Sequence, residues 1–148
     1  IKEVVLPKID VLMALHACDI ATDDAIARGI KDQAKVILAA PCCHKQIRNS
    51  MKNQGSLAAL TKFGIMEARQ AEILTDTIRA LILESYGYKT KVFEFIATDH
   101  TPKNILIAAV KTKEIVVPDP IIKEQIMTLK DTFGISFHEL ERLMEIKT

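Results

Sequence analysis

Two short apolar runs constrain the fold of this chain more than any other feature. Residues 10–18 read Asp-Val-Leu-Met-Ala-Leu-His-Ala-Cys, and residues 35–40 read Lys-Val-Ile-Leu-Ala-Ala before Pro41. Runs of this length and apolarity are typical of strands that are buried on both faces of a parallel sheet. Between them, Thr22 with two following aspartates supplies an N-cap and an acidic first turn for a helix ending near Asp32. A strand, a helix and a second strand predict a right-handed parallel crossover.

The remaining chain predicts a long helix, a strand hairpin and two terminal helices. The long helix spans about residues 67–86, with Ile73, Leu74 and Ile78 on its apolar stripe, and the hairpin pairs residues 90–96 with 104–111. The terminal helices span about residues 121–132 and 137–146, and Ser136 with Glu139 predicts a capping box for the second. Residues 44–66 have mixed polarity and predict an insertion or a lid.

Composition restricts the compartment and the partners. The 148 residues carry a formal charge of +1, so no overall field recruits nucleic acid or an anionic membrane. No apolar run reaches the about 18 residues of a membrane span, which predicts a protein without a membrane partner. The terminal helices lack a basic face, which argues against DNA binding. Three cysteines form no disulfide framework and suit the reducing cytoplasm.

Three polar clusters follow the ends of predicted parallel strands. The first is His16-Ala17-Cys18-Asp19, the second is Pro41-Cys42-Cys43-His44, and the third covers residues 99–104. Because ligands bind outside the carboxyl ends of the strands in an open parallel sheet, these clusters predict a site along one rim. All three cysteines and three of the four histidines belong to it.

Three other interpretations of these residues are simple packing, a zinc site and a nucleophilic Cys–His pair. Simple packing is the alternative for Cys18, Cys42 and His16, since cysteine is among the most often buried residues. Cysteine and histidine are also zinc ligands, but the spacing here is atypical, and adjacent Cys42 and Cys43 are not expected to reach one tetrahedral ion. No metal is therefore predicted. A nucleophilic Cys–His pair, such as Cys43 with His44 or His100, is a further alternative.

The order of elements and the motifs together resemble the class I, Rossmann-like, S-adenosylmethionine-dependent methyltransferases. The resemblance rests on residues 15–19 with 21–25, on Ala40-Pro41-Cys42-Cys43-His44, and on residues 100–104. It implies an α/β fold over residues 1–113 that is the C-terminal half of the methyltransferase domain. Parallel strands would be joined by an antiparallel last strand, which forms a hairpin and lies between its two predecessors. Helices would cover both faces of this partial sheet, and residues 114–148 would be a helical extension.

The resemblance also implies roles for individual residues. The segment after the family's fourth strand lines the donor pocket, which assigns S-adenosylmethionine binding to His16, Cys18, Asp19, Thr22 and Asp23. Asp19 would accept a hydrogen bond from an amino group of the donor or the substrate. The substrate side would be formed by Pro41, Cys42, Cys43, Lys103 and Asn104. His44 or His100 is the candidate catalytic base.

The departure from the family pattern is equally specific. None of the five glycines belongs to a Gly-x-Gly turn, and the chain opens at Ile1 without a methionine. We expect the first three strands of the sheet to be absent and this chain alone to bind the donor weakly or not at all. The bare edge of the strand at Val11 to Ala17 then predicts a homo-oligomer.

The methyl acceptor is left open by the sequence. Lys45, Arg48 and Lys52 form a local basic loop that suits RNA, although a protein or a small molecule fits equally. The alternative function is a non-catalytic binding or scaffold module that keeps a half-Rossmann sheet without a donor site.

Overall fold

The computed structural model describes residues 8–52, 55–95 and 104–146. Its strands are Val11–Leu15 (β1), Val36–Ala40 (β2), Tyr88–Glu94 (β3) and Ile105–Lys111 (β4). Its helices are Ile20–Lys31 (α1), Lys45–Ser50 (α2), Gly64–Ser85 (α3), Pro120–Phe133 (α4) and Glu139–Leu143 (α5), with a 3₁₀ helix at Gly55–Thr61.

The four strands form one mixed sheet in the order β1-β2-β4-β3. β1 and β2 run parallel, and β4 is antiparallel to both of its neighbours. The last strand of the sequence therefore lies between β2 and β3. This confirms the predicted α/β class and the antiparallel last strand of a partial Rossmann-like sheet.

Helices α1 and α3 pack on one side of the sheet, here called the inner face. It presents Leu12, Ala14, Ile37, Ala39, Ile107, Ala109 and Tyr88, which the strand register places on one side. α1 approaches β2 so closely that a Cβ on Gly29 would lie 2.8 Å from Ile37 Cδ1. The Tyr88 hydroxyl donates to the carbonyl of Ala34 at 2.9 Å, which ties β3 to the end of this helix. The main core lies between these helices and the inner face.

The opposite side, here called the outer face, is apolar along β1, β2 and β4 and is not covered by helices within the described residues. The exposed fractions are 52% for Val11, 59% for Met13 and 57% for Leu15, and Val110 of β4 is half exposed at 51%. α4 packs on α3 and α5 on α1, so neither terminal helix reaches this side. Two expectations are thereby corrected in the described part of the chain: β1 is not buried on both faces, and helices cover only the inner face.

The terminal helices share the core of the sheet domain. The buried cluster that contains Ile78 and Ile82 of α3 also contains Ile126 of α4 and Leu140 of α5. Ile135, between the two terminal helices, belongs to it as well. The division into residues 1–113 and 114–148 stays a prediction. None of the helices in the described ranges is long and apolar enough to cross a membrane.

Several local details differ from the expectations. The N-cap of α1 is Asp19 and not Thr22, whose hydroxyl instead donates to the Ala17 carbonyl at 2.5 Å. The capping box of α5 is formed by His138 with Glu141 and not by Ser136 with Glu139. The His138 ring supplies the acceptor, since Nδ1 receives the Leu140 N–H at 3.1 Å.

Candidate functional site

Three thiols meet at the carboxyl ends of β1 and β2. The Sγ atoms of Cys18 and Cys42 are 3.4 Å apart, those of Cys42 and Cys43 3.7 Å, and those of Cys43 and Cys18 3.6 Å. Cys18 is exposed, and the other two are half-buried. Burial and the hydrogen bonds with the other two thiols raise the pKa of Cys42 to about 12. We call this group the thiol cluster.

The thiol cluster corrects one sequence argument. Adjacent Cys42 and Cys43 were not expected to reach one ion together, yet their sulfurs both lie within 3.6 Å of the sulfur of Cys18. The reason is local: the chain leaves β2 at Pro41 in an irregular turn before α2, which starts at Lys45. In an irregular turn, neighbouring side chains need not alternate as they do in a strand.

His44 lies behind this turn in a buried histidine–carboxylate pair. Its Nε2 is 3.2 Å from Oδ2 of Asp76 on α3, and the exposed fractions of the two side chains are 5% and 7%. A histidine whose one nitrogen is held by a carboxylate presents the other nitrogen in a fixed direction. The Asp76 carboxylate therefore fixes the orientation of the His44 ring, and the role of His44 as a catalytic base stays a prediction.

Arg79 connects this pair to the beginning of α1. Its guanidinium is fully buried and donates to Asp76 Oδ1 at 3.0 Å, to Asp23 Oδ1 at 2.7 Å and to the carbonyl of Asp19 at 2.9 Å. Burial raises the pKa of Asp23, although the positive charge of Arg79 opposes that shift. The guanidinium thus fixes the loop after β1 to α3.

The remaining donor-side residues differ in accessibility. The half-buried carboxylate of Asp19 accepts the backbone N–H of Gln46 at 3.1 Å, which joins the loops after β1 and β2. Thr22 and Asp23 are buried and take part in the contacts given above. His16 is exposed, has a positive φ of 55°, and its N–H donates to the carbonyl of Ala40. Among these residues, His16, Cys18 and Asp19 keep surface toward the rim.

A separate cavity of about 690 Å³ lies between α3 and the β3–β4 hairpin. Asp76 of the histidine pair and Asn104 both line it, together with apolar residues such as Val92 and Ile105. Asn104 is buried, as is Pro41 at the end of β2. The predicted residues His100 and Lys103 lie outside the described residues. The cavity adjoins the partner of His44 and not the thiol cluster.

Asp76 and Arg79 were missed by the sequence interpretation. Both are buried on α3, as are the apolar residues Leu74, Ile78 and Ile82. Ile73, which was placed on the apolar stripe, is 66% exposed. Two opposite charges three residues apart on a buried helix face are a signal of an internal ion pair. That signal was available in the sequence.

Residues 3–50 match the model of a protein family described as a methyltransferase domain. The predicted resemblance to methyltransferases is confirmed. The matched segment contains β1, α1, β2 and α2, and with them the thiol cluster, Asp19 and His44. The sheet is of the general class I, Rossmann-like kind.

Curated proteins named "Glutathione S-transferase C-terminal domain-containing protein" are also similar to this chain. The Homo sapiens protein is 29% identical over 122 residues, which cover 66% of this chain and 19% of that protein. The Bos taurus protein is 26% identical over 122 residues, with the same coverage. The chain thus spans about a fifth of the length of the relatives it matches. No solved structure gives a significant match.

Proposed function

We propose that this chain is the C-terminal part of an S-adenosylmethionine-dependent methyltransferase domain. The observation that carries the proposal is the family match over residues 3–50, whose strands β1 and β2 form the parallel part of the sheet. The order β1-β2-β4-β3, with an antiparallel strand between two parallel ones, supports it independently. The resemblance covers the sheet as well as the motifs.

The described residues suit one side of a donor pocket. Asp19 accepts the Gln46 N–H, and a carboxylate can accept about four hydrogen bonds, so it has capacity for the donor's amino group. His16, Cys18, Thr22 and Asp23 accompany it on the donor side, with Thr22 and Asp23 acting through the buried contacts that hold this loop. The glycine-rich turn would come from residues outside these 148, so this chain alone binds the donor weakly.

The acceptor side is formed by the turn after β2 and by residues near the β3–β4 hairpin. S-adenosylmethionine supplies a methyl group on a sulfonium sulfur. Nε2 of His44 is held by Asp76, so Nδ1 is the atom that takes the proton lost by the acceptor. Pro41, Cys42, Cys43, Lys103 and Asn104 position that acceptor, and His100 is the second candidate base. Alignment of the acceptor with the methyl group of the donor accounts for the rest of the rate acceleration.

Donor binding tests the proposal. The 148-residue chain is compared by calorimetric titration with a natural chain that carries it together with an upstream Gly-x-Gly turn. We expect micromolar binding of S-adenosylmethionine by the longer chain, and binding at least about 100-fold weaker by the 148 residues. Micromolar binding by the short chain would contradict the divided pocket, and absence of binding by the longer chain would contradict the methyltransferase function.

The role of His44 is tested in the longer chain. His44→Ala should lower kcat by about 100-fold or more, whereas Asp131→Asn, an exposed carboxylate on α4, should not change it. Because Asp76 acts through His44, adding Asp76→Asn to His44→Ala should cause no further loss. Additive losses would show that the two residues act separately.

The alternative is a non-catalytic binding module. It is favoured by the apolar outer face, since large exposed apolar surfaces mark interaction sites. Retained partner binding by a longer chain that binds no donor would support it. RNA is one acceptor that the basic loop suits, next to a protein or a small molecule. The free thiols suit a reducing compartment, so we place the protein in the cytoplasm.

A further inference from the structure

The thiol cluster has the dimensions of a metal site. A tetrahedral zinc ion with Zn–S bonds of about 2.3 Å holds its sulfurs about 3.8 Å apart. The three Sγ–Sγ distances, 3.4, 3.6 and 3.7 Å, lie close to that separation. They are far longer than the about 2.05 Å of a disulfide bond. The three sulfurs thus form a triangle on which one ion fits.

The backbone holds this triangle from two directions. Leu15 and Ala40 are paired in the β1–β2 ladder, and the His16 N–H continues the ladder to the Ala40 carbonyl. The carbonyl of Ala17, next to Cys18, accepts the Thr22 hydroxyl from α1. The loop after β1 and the turn after β2 are therefore fixed to each other before any ion arrives, which reduces the ordering that binding requires.

The chemistry of three neighbouring thiols also selects a cation. Thiolates and not thiols bind metals, and three negative sulfurs at these distances repel one another unless a cation lies between them. Soft sulfur ligands favour zinc or copper(I) over magnesium or calcium. Tetrahedral geometry with sulfur ligands is typical of zinc.

The fourth position of such a site faces the rim. Among the described residues, the group of histidine, cysteine and acidic side chains that can share one ion consists of the three cysteines alone. Cys18 is exposed, so the side of the triangle next to it is open to solvent. Three protein ligands with an open fourth position are typical of zinc sites that bind water or an exchangeable ligand.

We propose that Cys18, Cys42 and Cys43 bind one zinc ion through three thiolates and leave its fourth position open to water or a small ligand. The site lies at the carboxyl edge of β1 and β2. It goes beyond the methyltransferase function and does not depend on it.

Metal content tests the proposal directly. The 148-residue chain, purified under reducing conditions without chelator, should contain about one zinc per chain by mass spectrometry of the metal. The metal-free chain titrated with Co²⁺ should develop thiolate-to-cobalt charge-transfer absorption that Zn²⁺ abolishes. A reduced chain that takes up neither ion would overturn the proposal.

Single substitutions then assign the ligands. Cys18→Ser, Cys42→Ser and Cys43→Ser should each weaken Zn²⁺ binding, measured against a competing chelator, by at least about 100-fold. Lys45→Ser changes an exposed residue two positions after Cys43 and should leave the affinity unchanged. Unchanged affinity in any of the three cysteine variants would remove that residue from the site.

A measurement on the unsubstituted chain covers the case in which a variant fails to fold. Zn²⁺ should protect all three cysteines from alkylation by iodoacetamide, and removal of the ion by a chelator should restore their reaction. Mass spectrometry counts the modified thiols. Equal alkylation with and without Zn²⁺, or recovery of a Cys18–Cys42 disulfide in place of bound zinc, would contradict the proposal.

Discussion

Arg79 is the single residue on which the buried charges of the site depend. Its three hydrogen-bonding nitrogens reach Asp23, Asp76 and the backbone of Asp19, all from a side chain with no exposed surface. The planar guanidinium can bind several acceptors at fixed angles, which the single ammonium of a lysine cannot. Its loss would leave two buried carboxylates without their cation.

We expect Arg79→Ala to lower the free energy of unfolding by about 3–5 kcal/mol, because it breaks a buried ion pair from one side. Arg69→Ala on the same helix is the matched control. Arg69 is 55% exposed and pairs with Glu72, so its loss should cost less than about 1 kcal/mol. Urea unfolding of the two variants measures the difference, and equal small losses would contradict the role of Arg79.

His138 should make stability depend on pH. Burial, reinforced by the positive charges of Arg79 and Lys130, lowers the pKa of His138 well below 6.5, and His44 acts in the same direction. The unfolded chain therefore binds a proton below about pH 6.5 that the folded chain excludes. The free energy of unfolding should fall as the pH drops below that value, by up to about 1.4 kcal/mol per pH unit.

Urea unfolding between pH 7.5 and 5 checks this. His138→Asn, which keeps a residue suited to a helix N-cap, should flatten the pH dependence. His16→Asn, which replaces an exposed histidine, should leave it as in the unsubstituted chain. The comparison separates the effect of His138 on the pH dependence from that of Asp23. The raised pKa of Asp23 contributes stability that is lost as the pH rises above 3.8. Identical slopes in all three proteins would contradict the assignment.

Which residues meet in space is predictable from the sequence only where the strand topology decides it. Cys18 and Cys42 follow parallel strands, so their proximity was readable from the sequence. The partners of His44 and Asp23 come from α3, and that contact depends on which side of the helix faces inward. The exposed Ile73 and the buried Arg79 show that hydrophobicity alone assigns this side incorrectly.

At the scale of elements, two glycines with a left-handed backbone terminate or start helices under different constraints. Gly134 has a φ of 63° at the end of α4, and a Cβ there would lie 2.5 Å from the carbonyl oxygen of Lys52. Gly55 has a φ of 59°, and a Cβ there would meet nothing within 4 Å. Both glycines therefore have a backbone conformation that is strained for other residues, but only Gly134 is crowded by neighbouring atoms.

Gly55→Ala should therefore cost about 1–2 kcal/mol from the left-handed backbone alone. Gly134→Ala should cost a further 1–3 kcal/mol or so, because the backbone of Lys52 has to move. Thermal unfolding followed by calorimetry measures both. A smaller loss for Gly134→Ala than for Gly55→Ala would show that α4 does not pack against residue 52 as described.

Elements with a clear hydrophobic pattern were predictable, and α2 was not. The helix expected to end near Asp32 ends at Lys31, and the expected strand at residues 35–40 is β2 at Val36–Ala40. α2 has six residues and too few for a periodic signal, so it was absorbed into an insertion. The capping box was displaced by two residues because a buried imidazole, not a hydroxyl, caps α5.

At the scale of the whole molecule, β1 is one of the two edge strands of the sheet that the described residues form, and its outer face is apolar. The carbonyl of Asp10 and the backbone N–H of His16, which flank β1, form hydrogen bonds with β2. The backbone groups of the even-numbered residues of β1 therefore face β2. Successive residues of a strand point their backbone groups to opposite edges, so Met13 presents its N–H to the free edge. Strand order followed from the resemblance, whereas the bare outer face did not.

Association through this edge is testable with one backbone group. Met13→Pro removes an outward N–H without breaking a bond to β2 and should weaken self-association by about tenfold, measured by light scattering. Met13→Ala removes the side chain but keeps the N–H, and should weaken it less. A monomeric mass for the unsubstituted chain in dilute solution would contradict association altogether.

The position of β4 has a consequence for how the chain folds while it is being synthesised. β2 is complete at residue 40, but its second neighbour in the sheet ends only at residue 111. During translation, β2 therefore keeps an unpaired apolar side while about 70 further residues are added, several seconds at ribosomal rates. The centre of the sheet closes last, so a nascent chain halted before residue 105 exposes the strand that the finished protein protects most.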